Sequence, residues 1–219
     1  MDVEKYYDEK APYYDGEYRT PFFDLYKKIT WDNIRRFLPQ SREGVILDAG
    51  GGTGEWAIRI AELGYSVVLA DLSRGMLRQA RLKLEENNIK NVELKKVDIK
   101  DMSCFRDESF DMALAQGDPL SYCGDAEKAV QELHRVVRPD CYCIASVDSM
   151  HYAILKFVMA KSWDELDHLL KTGQATFQQG FTVQYFTPES LGKLFKDAGF
   201  EVARILGKPV FLSIMLREK

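Results

Sequence analysis

The chain has 219 residues, 46% of them hydrophobic, which is enough for one well-filled core in a single domain over residues 1–219. Its formal net charge of −4 disfavours nucleic acid as a partner, because phosphate binding needs clustered lysine and arginine. No apolar stretch is long enough for a membrane span, and the polar opening at residues 1–5 is unlike a signal peptide, so we expect a cytoplasmic protein without a membrane partner. The cysteines form no C-x-x-C pair, which indicates reduced thiols rather than a metal site.

Residues 1–40 are predicted to form an N-terminal helical cap. Tyrosine is frequent in residues 1–20, and apolar residues then keep near-helical spacing from Phe22 to Phe37. Two roles are open for these tyrosines, packing of a terminal helix and contact with a ligand.

From residue 45 onward, apolar strand candidates alternate with amphipathic helix candidates, which favours a parallel sheet with helices on both faces. Ser73 and Asp125 are placed to cap two of these helices. The predicted strands are residues 45–49, 66–71, 92–97, 110–115 and 141–147.

Residues 149–186 break this alternation and are too long for a plain connection between a strand and a helix. Because they are rich in aromatic residues, we interpret them as an inserted lid that shapes a substrate site. A structural packing arm or an oligomer contact is an equally open interpretation.

A helix is predicted after the insertion, from Thr187 to Gly199, and residues 201–206 and 210–216 follow as an antiparallel hairpin. The predicted fold is therefore α/β: a Rossmann-like, seven-stranded, mostly parallel sheet with helices on both faces, a C-terminal antiparallel hairpin and a lid insertion.

The first strand runs into a glycine-rich turn, in which Asp48 is followed by Gly50, Gly52 and Gly54. Glycine lets a ligand approach the backbone, and the helix after the turn offers free N–H groups and a positive dipole end. Such a turn can cradle a nucleotide-like cofactor. The dinucleotide fingerprint G-x-G-x-x-G is not met, because Glu55 occupies its last glycine position.

Acidic residues also end the next two strands, at the sheet edge where open α/β folds bind ligands. Asp71 can accept hydrogen bonds from both hydroxyls of a ribose, which suits several nucleotide cofactors, NAD included. Asp98 can accept from an adenine amino group while Ile99 packs on the ring.

Taken together, these segments resemble the class I S-adenosylmethionine-dependent methyltransferases, in the small-molecule "type 11/25" style of domain. The resemblance covers nearly the whole chain and specifies no substrate. It is carried by residues 47–54, Asp71, residues 97–99, residues 110–115, residues 132–139 and residues 186–200.

The resemblance implies S-adenosylmethionine as the cofactor and assigns one set of residues to it. Tyr14 matches the tyrosine that reaches the methionine carboxylate in the family. The other implied contacts are Asp48, Gly50, Gly52 and Gly54 for the methionyl part, Asp71 for the ribose, Leu72, Met76, Asp98 and Ile99 for the adenine end, and Gln116 near the sulfonium.

Catalysis needs the acceptor to be aligned with the methyl group and, in some cases, to lose a proton. His151, Tyr122 and Asp118 are the candidate catalytic residues, with Tyr14 and Asp148 as further candidate bases. His151 follows the fifth strand, where a histidine pKa can suit proton transfer, although a hydrated loop histidine is the alternative.

The predicted function is methyl transfer to an N, O or C nucleophile of a small molecule, by a monomer or homodimer. The stretch Asp118–Tyr122 lacks the Pro-Pro-aromatic motif of methylases that act on base or glutamine amino groups. Three alternatives stay open: a methyl-donor-binding protein without catalysis, a macromolecule methyltransferase and an NAD-dependent oxidoreductase. The last is opposed by the glycine spacing, by Asp98 and by the predicted terminal hairpin.

Overall fold

The computed structural model describes residues 2–177 and 180–207. Its centre is a parallel five-stranded sheet with the order β3-β2-β1-β4-β5. The strands are β1 (Val45–Ala49), β2 (Ser66–Asp71), β3 (Val92–Lys96), β4 (Phe110–Ala115) and β5 (Val137–Ala145). The chain order reverses between β1 and β4, and this switch point is where such sheets open a crevice for ligands.

Ten helices surround the sheet in the described part of the chain. Three precede β1, and the others follow strands or lie in the inserted segment. They are α1 (Val3–Lys10), α2 (Tyr14–Glu17), α3 (Pro21–Phe37), α4 (Glu55–Glu62), α5 (Arg74–Glu86), α6 (Pro119–Tyr122), α7 (Ala126–Val136), α8 (Met150–Met159), α9 (Trp163–Thr172) and α10 (Pro188–Asp197).

Side-chain alternation along the strands divides the core between the two faces of the sheet. In β1, Leu47 packs with α7 residues such as Leu133, whereas Ile46 packs with α4 residues such as Trp56. All of these side chains are buried, so the predicted α/β layering is confirmed.

The helix starts predicted from capping residues are also confirmed. Ser73 Oγ accepts a hydrogen bond from Met76 N, and Asp125 Oδ1 accepts one from Lys128 N. Thr187 forms a capping box with Ser190 at the start of α10.

Within residues 2–177 and 180–207, the main sheet has five strands rather than the predicted seven. Residues 201–206, predicted as a strand, have no ladder partner in that part of the chain. The predicted strand 210–216 lies outside the described residues. An antiparallel pair is present elsewhere, where β6 (Gln174–Thr176) pairs with β7 (Thr182–Gln184) inside the insertion.

The insertion leaves the sheet and returns to it at one point. Phe186 N donates to Asp148 O and Met150 N donates to Phe186 O, so both ends of the segment meet just after β5. Between them, α8, α9 and the β6-β7 pair enclose a small core of Ala153, Phe157, Leu169 and Ala175. Within residues 2–177 and 180–207, no helix is long and apolar enough to cross a membrane.

Candidate functional site

A cavity of about 1060 Å³ lies over the carboxyl ends of the strands. Its walls come from α1–α3, from the loops after the five strands of the main sheet, from the segment around Phe186, and, at one side, from β5 and residues 200–207. The volume is at the upper end of ordinary ligand pockets.

The glycine turn presents its backbone to this cavity. Gly50, Gly52 and Gly54 all have positive φ, at 72°, 57° and 88°, which explains why glycine is needed there. A Cβ at Gly52 would meet no atom within 4 Å, so the space beside it is open to a ligand. Gly54 is buried, where a Cβ would meet Leu69 at 3.2 Å, and it does not line the cavity.

The carboxylate of Asp71 joins the loops that follow β1 and β2. Its Oδ2 accepts from Gly52 N and its Oδ1 accepts from Ser73 N, each at 2.8 Å. Burial, offset by these two hydrogen bonds, raises the pKa of Asp71 to about 6. Asp71 lines the cavity, as predicted, with Leu72 beside it.

Asp48 lies beneath the glycine turn and is fully buried. Its Oδ2 accepts from Ala57 N at 3.2 Å, but its Oδ1 has no hydrogen-bond partner within the described part of the chain. Burial raises the pKa of Asp48 to about 7. A buried carboxylate oxygen without a donor is costly, so this position fits a ligand that brings a donor to the turn.

The predicted adenine end is an apolar slot with polar groups at its rim. Met76 and Ile99 are buried and line the cavity together with Leu72. Asp98 also lines it, and its Oδ1 accepts from Lys100 N at 2.9 Å.

Two acidic residues of the cap fasten it to the cofactor loops, and the sequence analysis missed both. Asp8 Oδ1 accepts from Ser73 Oγ and from Gly75 N, each at 2.6 Å. Asp15 accepts from Thr53 Oγ1 at 2.6 Å and pairs with Lys83 at 2.5 Å. No local pattern marks these residues, because their partners lie 38 to 68 positions away in the sequence.

The opposite part of the cavity is lined by tyrosines from the cap and from α6. Tyr14, which the sequence assigned to the methionine carboxylate, is one of them. Burial raises the pKa of each of these phenols, so they stay protonated at neutral pH and act as hydrogen-bond donors. They are Tyr7, Tyr14, Tyr18, Tyr26 and Tyr122.

Three predicted catalytic residues line the same cavity, in different settings. Asp118 precedes α6 in a left-handed conformation with φ 67°, and its N–H donates to Ser146 Oγ at 3.2 Å. Tyr122 is hydrogen-bonded to Asp148 and lies deep among the phenols. His151 is exposed on α8.

Gln116 is buried at the end of β4 and donates to Ile144 O at 2.9 Å.

The cap and the insertion meet over this part of the cavity. Phe177 and Phe181 are stacked at 4.8 Å, and both rings contact Tyr6 of α1 and Tyr122 of α6. These contacts give a packing role to two aromatic residues of the insertion. Trp163, in the same insertion, is instead 59% exposed.

Comparison with known proteins agrees with this geometry. Residues 46–140 match a family model described as "Methyltransferase domain". The chain is 28% identical over 225 residues to a demethylmenaquinone methyltransferase of Listeria welshimeri, covering 93% of this chain and 89% of that protein. It is 26% identical over 208 residues to the tRNA 5-carboxymethoxyuridine methyltransferase of Escherichia coli K12, covering 92% and 77%.

A solved structure shows the same fold. The S-adenosylmethionine-dependent methyltransferase from Methanosarcina mazei superposes with a TM-score of 0.66 over 78% of this chain and 85% of that one, at 24% identity. The family match covers the strands and loops that build the glycine turn, Asp71 and Asp98. The family match over residues 46–140, the two relatives and the shared fold together support a class I S-adenosylmethionine-dependent methyltransferase, with S-adenosylmethionine as the cofactor.

Proposed function

We propose that this enzyme methylates a small molecule held between the cofactor, the tyrosines and the insertion. The observation that carries the proposal is the contact of Phe177 and Phe181 with Tyr6 and Tyr122, because it joins the insertion and the cap at Tyr122, which lines the acceptor side of the cavity. A junction at this place suits a compact substrate and helps to exclude water during transfer.

In this proposal, one half of the cavity binds the cofactor and the other half binds the acceptor. Gly50 and Gly52 present backbone to the methionyl part, and Asp48 provides the acceptor beneath them. Asp71 holds the ribose hydroxyls. The slot of Leu72, Met76, Asp98 and Ile99 holds the adenine, and Gln116 and Tyr14 lie toward the methyl group.

The remaining half of the cavity positions the acceptor. When bound, S-adenosylmethionine supplies a methyl group on a positively charged sulfur, so the protein needs only to align a nucleophile and to remove a proton where the acceptor carries one. Asp118 is the carboxylate best placed for that proton, because it lines the cavity among the protonated phenols. Tyr122 stays protonated and donates its hydroxyl hydrogen to Asp148, so that its phenol oxygen and its ring are left to contact the acceptor.

A macromolecular acceptor is the second candidate, since one relative is named as a tRNA methyltransferase. A nucleotide acceptor would require the cap and the insertion to separate, and a polyanion would meet the acidic side chains Asp2, Glu4, Asp118 and Asp148 that line the cavity. The two candidates are separated by incubating the enzyme with methyl-labelled S-adenosylmethionine and a cell extract. Label in the small-molecule fraction supports the proposal, and label confined to RNA or protein contradicts it.

S-adenosylhomocysteine is expected to bind and to raise the free energy of unfolding, whereas NAD is not. At about a hundred times the dissociation constant, the gain is roughly 2.7 kcal/mol. Thermal unfolding with each ligand at equal concentration measures it. An equal rise in the unfolding temperature with NAD would show that the glycine turn does not discriminate between S-adenosylhomocysteine and NAD.

Alanine at Phe177 and Phe181 together is expected to lower turnover by about tenfold or more while leaving the affinity for S-adenosylhomocysteine nearly unchanged. The reason is that both rings contact Tyr122 and lie away from the glycine turn. Trp163→Ala is the matched control, because that exposed ring belongs to the same insertion. If the double variant keeps full turnover but changes from dimer to monomer, the insertion is an assembly element rather than a lid.

A further inference from the structure

We infer that the acceptor is a cation, and specifically an amine that enters the cavity as an ammonium group. This inference rests on the proposed function and names the substrate class of the same site. It follows from two features of the acceptor half, a wall of aromatic faces and a pair of carboxylates.

The aromatic wall is continuous across three helical segments. Tyr14 contacts Tyr18 at 4.7 Å and Tyr7 at 6.3 Å, and Tyr7 contacts Tyr122 at 6.3 Å, mostly edge to face. Edge-to-face contacts turn some ring faces away from their neighbours and toward the space that they enclose. Ring faces of this kind attract ammonium groups.

Two carboxylates lie among these rings. Asp118 and Asp148 line the cavity together with these tyrosines, and Asp148 is hydrogen-bonded to Tyr122. Asp118 keeps a left-handed backbone conformation that is uncommon for a residue other than glycine. Such strain, held in place by surrounding hydrogen bonds, is frequent where a side chain must be presented to a ligand.

The lysines at or near the cavity are already paired, including Lys10, whose Nζ lies 5.8 Å from the centre of the Tyr14 ring and pairs with Glu17 at 2.8 Å. Among the described residues that line it, Lys27 pairs with Glu55 at 3.2 Å and Lys100 pairs with Asp98 at 3.6 Å, both on the cofactor side. His151 and Arg204 are exposed. An anionic acceptor would therefore face Asp118 and Asp148 without a matching cation, whereas an ammonium group would be matched.

The positively charged sulfur of S-adenosylmethionine is also a cation, and one of the two carboxylates would serve as its counter-charge. Two cations side by side repel each other unless each has a counter-charge, which Asp118 and Asp148 together supply. In the reaction, the ammonium group first loses one proton to Asp118 or to solvent. The amine lone pair then forms the N–C bond as the C–S bond breaks, and the electron pair of that bond stays on sulfur. The products are a methylated ammonium ion, S-adenosylhomocysteine and the released proton.

The first test uses the protein saturated with S-adenosylhomocysteine, which carries no sulfonium charge. Its probes are 2-phenylethylamine, 2-phenylethanol and phenylacetate, which share a ring and differ in charge. We expect the amine to bind about tenfold or more tightly than the alcohol, and the carboxylate more weakly still. Equal binding of amine and alcohol, binding of none of the three, or preference for the carboxylate would overturn the inference.

Asp118→Asn is the decisive variant, because asparagine tolerates the left-handed conformation and removes only the charge. The affinity for the amine should fall about tenfold, and this fall should exceed any change in affinity for S-adenosylhomocysteine. Asp140→Asn is the matched control, since Asp140 also has positive φ, at 60°, but is exposed and does not line the cavity. An equal effect of both variants, or no fall in amine affinity in Asp118→Asn, would overturn the inference.

Label transfer separates failure of this inference from failure of the proposed function. Small molecules methylated from labelled S-adenosylmethionine are passed over cation and anion exchangers at neutral pH. Label retained on the cation exchanger in a species other than unreacted S-adenosylmethionine, which is itself retained there, supports an amine acceptor. Label in neutral or anionic small molecules overturns the inference and leaves the proposed function intact, whereas label only in RNA or protein overturns both.

Discussion

Asp71→Ala is expected to weaken the binding of S-adenosylhomocysteine by more than a hundredfold. The variant removes a charged acceptor for two ribose hydroxyls, and hydrogen bonds to a charged group contribute about 1.5–3 kcal/mol each. Isothermal titration at pH 7.5 measures the effect, since the pKa of Asp71, raised by burial to about 6, leaves the carboxyl ionised there.

Asp71 also holds two loops together, so a control must separate binding from local order. Ser73→Ala is suitable, because it removes the cap of α5 and the hydroxyl that Asp8 accepts from, in the same loop, while the Asp71 carboxylate remains. Loss of such a cap costs about 1 kcal/mol of stability. If Ser73→Ala weakens binding as much as Asp71→Ala does, Asp71 acts by ordering the loop and does not contact the ribose.

The cofactor half of the site could be read from the sequence because its signals are local. Asp48 and the glycines follow a buried strand directly, and Asp71 and Asp98 lie at or just after the ends of the next two. Because parallel strands bring their carboxyl ends to one edge, sequence position alone predicted that these groups share a cavity. The structure places Asp48 and Gly54 beneath its wall rather than on it.

The acceptor half could not be predicted in the same way, since it depends on contacts between distant segments. Tyr7 meets Tyr122, and Tyr6 meets Phe181, only because α1 folds back over the sheet. The Asp8 contacts that fix α1 join residues more than 60 positions apart. The frequent tyrosines of residues 1–20 left two roles open, helix packing and ligand contact, and the sequence could not show which rings are turned inward.

Strand pairing also could not be predicted from the sequence. Residues 201–206 have the composition of a strand, but a strand is defined by its partner, and none is present in the described part of the chain. The insertion shows the converse, since the short strands β6 and β7 pair with each other although no strand was predicted there.

Asp48→Asn is expected to stabilise the ligand-free protein at pH 8 while weakening its affinity for S-adenosylhomocysteine. Burial raises the pKa of Asp48 from 3.8 to about 7, so between these values the folded protein holds a proton that the unfolded chain has released. The free energy of unfolding therefore falls as the pH rises through this range, by about 4 kcal/mol for this group alone. Asparagine cannot ionise and avoids that loss, although its unpaired amide group costs about 1–3 kcal/mol.

The net gain at pH 8 is thus on the order of 1–3 kcal/mol, and it should vanish or change sign near pH 4, where the carboxyl of the natural protein is protonated. Urea unfolding of the natural protein and of Asp48→Asn from pH 4 to pH 8 measures the difference in their free energies of unfolding. Asp71 titrates in both proteins, so its contribution cancels and the difference reports on Asp48. A difference that does not change with pH would show that Asp48 titrates in the same pH range in the folded and the unfolded chain, so that its pKa is not raised by burial. If the variant gains stability and keeps its affinity for S-adenosylhomocysteine, Asp48 Oδ1 does not receive a hydrogen bond from the cofactor. Gain of stability with loss of affinity would show that the fold keeps a costly buried charge beneath the glycine turn because the cofactor requires it.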